Sequence, residues 1–458
     1  MTTLGTRLSK WAVVAIAAAL PLTACGGSQG ADPDPTTSGS TAASGSASAD
    51  TGSSATGTDP DTFSVQTANE NPALREQLDA LAADQCKAEN DALPLEHLTV
   101  AQADTVQKVT LLASQDALPA HTIAGTAMVR PSGDLGAGGL IVDLKESMGA
   151  SGALDNVLPA VVSTEDNVYG GLVSMPYQYN IEGIWFNKQI FADNGIEEPQ
   201  TWDELMAAAE TLKAAGVTPM TQAGAAGWPL TRLMGMYIVR NAGPDAMVKV
   251  RDDQAKLTDP EYVAGAQALA DFAAAGHLGE GFSTRDMDQS QNLFLTGEAA
   301  MTYDGSWFLG AINDPERTTI GAENVGFMPF PAVDGGAGSI DQYPANAGAP
   351  MAFSSKAYGP KVDAWVTCIA ENYGQQAMQS AGIISGFKVN GEVTDVSPNT
   401  LEIQERIEGI DETVLWFEAL FDPKSNSLAS TNVTLLANGQ MSAEDYMAAL
   451  QESVDANR

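Results

Sequence analysis

Apolar positions from about residue 62 to the end switch between two periods, and each switch marks an element. Alternation with period two marks "TFSVQT" (62–67) as a candidate strand, and short apolar stretches mark "HTIAGTAMV" (121–129), "GGLVSM" ending at Met175, "IEGIWFN" (181–187), "AAMTYDG" (299–305) and "ENVGFMPFPAV" (323–333) as others. Helical spacing appears in "NPALREQLDALAADQCKAEN", with Pro72 in its first turn, and again after "LTV" in a helix ending near Pro119. "SGDLGAGG" reads as a glycine-rich loop, and "LIVDLKESM" as a turn into a helix. The best-marked helix is "TWDELMAAAETLKAAGV": Thr201 and Glu204 form a capping box and Gly216 supplies the stop. "WPLTRLMGMYIVRNAG", "DPEYVAGAQALADFAAAG", "KVDAWVTCIAEN", "DETVLWFEALF" and "SAEDYMAALQESVDA" continue the helical series. Strands alternating with helices define an α/β chain with a mainly parallel sheet.

A chain of 458 residues exceeds one ordinary core, which implies two lobes or domains. Its 58 acidic and 22 basic residues give a net charge of -36. That field repels phosphate backbones and anionic headgroups, and so excludes nucleic acid as a partner and electrostatic docking to membranes. The first 24 residues carry Arg7 and Lys10 before the apolar run "WAVVAIAAALPL", which is too short to span a bilayer and reads as an export signal. Leu22-Thr23-Ala24-Cys25 resembles the bacterial lipobox, which makes Cys25 a lipidation site. Residues 25–61 follow as a Gly/Ser/Thr/Asp-rich leash without Leu, Ile or Val, too polar to offset its ordering entropy. "GGSQG" within it matches a hydrolase elbow in letters only, since no strand precedes it and no helix follows.

Two cysteines remain after processing, Cys86 and Cys368, either a disulfide or two separate buried thiols. His97, His121 and His277 are scattered, so no metal site is expected. "GAGGLI" lacks the third glycine of a dinucleotide fingerprint, and no cofactor is expected.

From Tyr169 onward the chain resembles the extracellular solute-binding proteins of sugar ABC importers, the superfamily of maltose-binding protein. The resemblance rests on "VYGGLVSMPYQYNIEGIWFNKQIFADNGIEEPQTWDELMAAAETLK", in which Pro176, Asn187, Lys188, Phe191, Gly195, Pro199 and the Thr201–Glu204 run fall in place. "FLTGEAAMTYDGSWFLGAI" and the closing "LLANGQMSAEDYMAALQESVD" extend it. In the amino-terminal third the match is by pattern, and Ala120 stands where the family has Asp.

The resemblance implies a two-lobed periplasmic-binding-protein-like α/β fold with hinge strands and an interlobe cleft. Lobe one would comprise residues 62–177 plus 347–400, lobe two 178–346 plus 401–458. Cys86 and Cys368 then fall in one lobe, which favours a disulfide between them.

A sugar pocket needs aromatic platforms and converging polar groups. By the resemblance Trp307 is the first candidate, in a strand–turn–helix where Gly305 clears space before the indole; Trp416 and Trp228 are further platforms. Each has core packing as its alternative. Asp304 either meets hydroxyls or caps the turn, and Tyr179, Asn180 and the weaker Glu182 lie at the first crossover, where hinge packing is the alternative. Thr126, at a first-lobe strand end, and Asn346, a polar residue at a crossover, are further expected contacts. Trp185, Phe186, Trp202 and Trp365 are expected in the core.

The implied function is capture of a small-molecule carbohydrate and its delivery to the transmembrane permease of an ABC importer. Such a chain is a monomer, not an enzyme, tethered to the outer face of the membrane through its lipid anchor alone. A same-fold binder or sensor of a non-sugar solute is the alternative. A secreted glycosidase would need two carboxylates across the cleft, about 5–10 Å apart.

Overall fold

The computed structural model describes residues 55–69, 71–101, 104–410 and 413–457. The signal segment, Cys25 and leash residues 26–54 lie outside the described residues. The leash end expected at 61 is corrected: Gly57 and Thr58 donate to the Tyr358 and Lys356 carbonyls at 3.1 and 2.9 Å, and Asp59 accepts from the Lys361 N–H at 2.9 Å, so these residues belong to the folded body.

Two sheets organise the described chain. The first has the order β2-β1-β3-β9, built from β1 (Phe63–Ala68), β2 (Leu95–Val100), β3 (His121–Ile123) and β9 (Met351–Phe353). Its first three strands are parallel and β9 joins β3 antiparallel. The second sheet has the order β5-β6-β4-β7, from β4 (Asn180–Asn187), β5 (Thr218–Thr221), β6 (Ala299–Gly305) and β7 (Val325–Met328), with the two-residue β8 (Ala345–Asn346) pairing β4. Around β4 every pairing is antiparallel, and β5–β6 alone is parallel. The expectation of a mainly parallel sheet therefore holds for the first lobe and fails for the second. There β4 enters directly from the hinge and pairs with strands that run back toward it.

Each lobe buries its own apolar faces. Phe63 stacks on Trp365 of helix Pro360–Ala381 at 4.9 Å between ring centroids, and both rings are fully buried. The same helix carries Cys368, which is bonded to Cys86 across a Cα separation of 5.8 Å. In the second lobe, helix Trp202–Ala214 begins at the expected Thr201/Glu204 capping box. Helices Trp228–Ala242, Pro260–Ala274, Pro423–Ala437 and Ala443–Ala456 pack on one another there. Trp185, Phe186 and Trp365 are buried, and Trp202 packs on Phe330 at 5.6 Å.

Three passages of chain cross between the lobes. Residues 176–180 lead into β4, Asn346–Met351 returns to β9, and the chain crosses a third time ahead of helix Pro398–Glu408, beyond which Val414 donates to the Tyr343 carbonyl at 3.0 Å. The boundary expected at 400/401 falls inside helix Pro398–Glu408. Asn399 donates to the Ala322 carbonyl at 2.8 Å and Asn313 to Thr400 at 3.0 Å, which fixes that helix on second-lobe elements and moves the boundary before Pro398.

Two further expectations are corrected. "GGLVSM" is not a strand; residues 170–175 run as bends, with Met175 tied to Met351 by one backbone bond of 2.9 Å. "DETVLWFEALF" is not a helix either. Its described residues 413–421 are an irregular strap: Val414 bridges Pro344, and Val414, Leu415, Phe417 and Phe421 are all buried, on more sides than one helical face presents.

Candidate functional site

β6 ends at Gly305 and the chain turns through a short 3-10 helix, Ser306–Phe308. Asp304 fixes the turn: its carboxylate accepts from the Gly305 N–H at 2.9 Å and from Gln291 Nε2 at 2.9 Å, and its carbonyl accepts from Trp185 Nε1 at 3.2 Å. The Trp307 indole folds back over Gly305, and a Cβ built there would lie 2.1 Å from the indole Cζ3. Only glycine admits that stacking. Trp307 keeps part of its surface in the cleft, and Trp228 meets it edge-on at 6.0 Å and 67°.

Trp228 opens helix Trp228–Ala242 after Gly227, whose φ of +74° and close approach to the Ser430 carbonyl exclude a side chain. One turn along, Arg232 lies between two indoles. Its guanidinium carbon is 5.4 Å from the Trp228 ring centroid and 4.8 Å from that of Trp416, on the strap. Glu182 of β4 pairs with Nη1 of the same guanidinium, and Glu418 of the strap with Nε at 2.7 Å. Thr231 adds a hydroxyl to Glu418 at 3.1 Å, and Tyr303 donates to Glu182 at 3.3 Å.

Two nearly buried carboxylates thus share one cation. Burial pushes the Glu182 carboxyl up to about 7, against the opposing pull of Arg232. Burial also opposes the charge of Arg232, but its two carboxylates hold its pKa above the ordinary value. Asp304, likewise desolvated, is raised to about 6 although Gln291, Gly305 and Trp307 all donate to it.

Above this cluster opens a cavity of about 550 Å³. Trp228, Arg232, Trp307, Trp416 and Glu418 form its second-lobe wall, with Asn426 and Ser430 from the following helix. Thr126, Tyr169, Asn346 and Gly348 face them from the first lobe and the crossover. Of the residues singled out in the sequence, Trp307, Trp416, Trp228, Thr126 and Asn346 are brought together here. Glu182 and Asp304 lie one layer beneath. Asn180, 8% exposed, supports the wall by accepting from Ser306 Oγ at 3.2 Å and facing Asn346 Oδ1 at 3.5 Å.

Tyr179 is corrected: it has no exposed surface, and its hydroxyl donates to the Ala160 carbonyl at 2.9 Å and lies 2.8 Å from Thr164. It belongs to the hinge core. Arg232, Glu418 and Tyr169 were not anticipated. Lone charged or aromatic residues on amphipathic segments carry no signal until the fold brings distant partners to them. Among the described residues, the metal-ligating atoms that converge belong to Cys86, Glu89 and Cys368, and both sulfurs are already in the disulfide.

The arrangement offers aromatic faces beside fixed polar edges, without net positive charge. That suits a polyhydroxylated neutral solute held between two surfaces able to close on it. Two α/β lobes, crossing segments and an aromatic cavity between them define a solute-binding protein.

The chain belongs to the bacterial extracellular solute-binding protein family, whose pattern matches residues 71–376. Among curated relatives, a probable sugar-binding periplasmic protein of Mesorhizobium japonicum is 26% identical over 205 residues, covering 44% of this chain and 48% of the relative. A multiple sugar-binding protein of Streptococcus mutans is 26% identical over 181 residues, 38% of this chain and 42% of the relative. The matched regions span less than half the length of these two relatives. Among solved structures, a chitin oligosaccharide binding protein superposes with a TM-score of 0.71 at 25% identity, over 86% of this chain and 98% of that one.

Proposed function

We propose that this chain is the substrate-binding component of an ABC-type carbohydrate importer, capturing a sugar between its lobes and presenting it to the membrane permease. The observation that carries the reading is the cavity of about 550 Å³ walled by three indoles, Trp228, Trp307 and Trp416, with Asn346 and Thr126 opposite. Sugar-binding names among the relatives support it. Binding needs no chemistry, and Glu182 and Glu418 are both engaged by Arg232 rather than poised across a scissile bond. In this reading the first 24 residues direct export, Cys25 carries the lipid, and a tether ending before Gly57 joins it to a monomeric body on the outer face of the cell membrane. Lobe one comprises residues 57–177 plus 347–397, and lobe two the rest of the folded body.

The test is isothermal calorimetry of the purified protein against neutral mono- and oligosaccharides, with amino acids, polyamines and aryl glycosides as controls. Micromolar or tighter sugar binding, about -8 kcal/mol or better, is the expected result. Binding confined to a non-sugar solute, or turnover of an aryl glycoside, would overturn it.

A further inference from the structure

Next to the indole-walled cavity is a second and larger one, of about 790 Å³, which no sequence motif marks. The two share Tyr169 as a common wall. Neighbouring residues line one and then the other: Thr126 faces the first cavity and Ala127 the second, while Trp416 and Glu418 face the first and Leu420 and Phe421 the second. The strap that was expected to be a helix therefore runs beneath both. Like the first cavity, the second draws its walls from both lobes: Arg130 and Asn167 from one, Arg251, Phe421 and Asn457 from the other.

Each cavity by itself falls within the range of about 300–1,000 Å³ typical of a complete small-ligand pocket. A monosaccharide seated against Trp307 would leave the second cavity to water. The lining of that cavity is built for more than water. Arg130 donates to the Val168 carbonyl at 2.9 Å and to the Ala419 carbonyl at 2.6 Å, so its guanidinium is anchored from both sides of the cleft by neutral acceptors. Arg251 is held by Asp252 at 2.7 Å. Asp134 and Asp422 line the same cavity, the latter also capping helix Pro423–Ala437 through one carboxylate oxygen, so the lining carries two cations and two carboxylates. An anionic ligand would meet the carboxylates and a cationic one the guanidiniums, whereas a chain of hydroxyls both donates to the acids and accepts from the arginines. Phe421 adds an apolar face.

We propose that the two cavities form one extended site and that the ligand is a neutral oligosaccharide, its first unit among the indoles and its further units held by Arg130, Arg251 and Asn457 against Phe421. This rests on the reading of the chain as a sugar receptor and adds to it the length and charge of the sugar.

The experiment is calorimetry of the full folded chain with matched series of α-linked glucose, β-linked glucose and β-linked N-acetylglucosamine, each from monomer to pentamer. The same titrations are run on the double variant Arg251→Ala/Asn457→Ala. Both positions are exposed, so the fold is expected to survive, and thermal melting confirms it. One series should gain about tenfold or more in affinity between its shortest binding member and the first member long enough to reach the second cavity. The double variant should abolish that gain and leave the shortest member unchanged. A monomer binding as tightly as its pentamer overturns the extended site while leaving the sugar receptor intact, as does a double variant that weakens every length equally. Failure of every series at every length overturns both.

Discussion

At the scale of single residues, Trp307 is defined by its neighbour. Its ring covers Gly305, its edge meets Trp228 and its remaining surface faces the cavity. Trp307→Ala should weaken sugar binding by about 1–3 kcal/mol with a smaller change in melting temperature, because the side chain is only part buried. Gly305→Ala should mimic that loss although it adds a methyl group, since the new Cβ displaces the indole. Calorimetry and melting on the two variants check both; a melting loss outweighing the binding loss in Trp307→Ala would make Trp307 a core residue. The motif in the sequence pointed to this indole because strand, glycine and tryptophan are contiguous. Tyr179 also lies in a motif, but its environment is made by Ala160 and Thr164, whose proximity to it only the fold reveals.

At the scale of elements, the capping box of helix Trp202–Ala214 and the end of β6 were legible because both are settled within a few residues. The strap over residues 413–421 was not. Its apolar spacing mimics a helix, but Val414 bridges Pro344 and Glu418 reaches Arg232, 186 residues away in sequence. Arg232 joins three elements: its own helix, β4 through Glu182, and the strap through Glu418. Arg232→Met should leave two buried carboxylates without their cation and cost about 3–5 kcal/mol in urea denaturation. The triple variant Glu182→Gln/Arg232→Met/Glu418→Gln should recover much of that, since no charge is then stranded. A cost below about 1 kcal/mol for the single variant would mean that water reaches the cluster and screens it.

For the whole molecule, the surplus of acid shapes the pH response. Asp304 and Glu182, held at about 6 and about 7 against ordinary values of 3.8 and 4.5, carry protons in the folded state that the unfolded chain releases. Stability from these groups is therefore full below the ordinary carboxylate range and is lost as pH rises through the raised values. Self-repulsion from a net charge of -36 acts in the same direction. The melting temperature should fall between about pH 5 and about pH 8, and the fall should be shallower in Asp304→Asn, which keeps the shape but cannot titrate. An identical slope in the variant would remove Asp304 from the effect and leave it to Glu182 and surface charge. The division into two lobes was readable from length and motif order, whereas the antiparallel pairing around β4 was not, since strand direction depends on where the chain re-enters from the hinge.

The bond between Cys86 and Cys368 closes a loop of chain that contains the whole of the second-lobe sheet. A single proteolytic nick anywhere inside that loop would therefore leave one covalent molecule. If Cys25 holds the amino end at a membrane, the carboxyl-terminal fragment stays attached as well, and only a reductant acting together with the protease would release it.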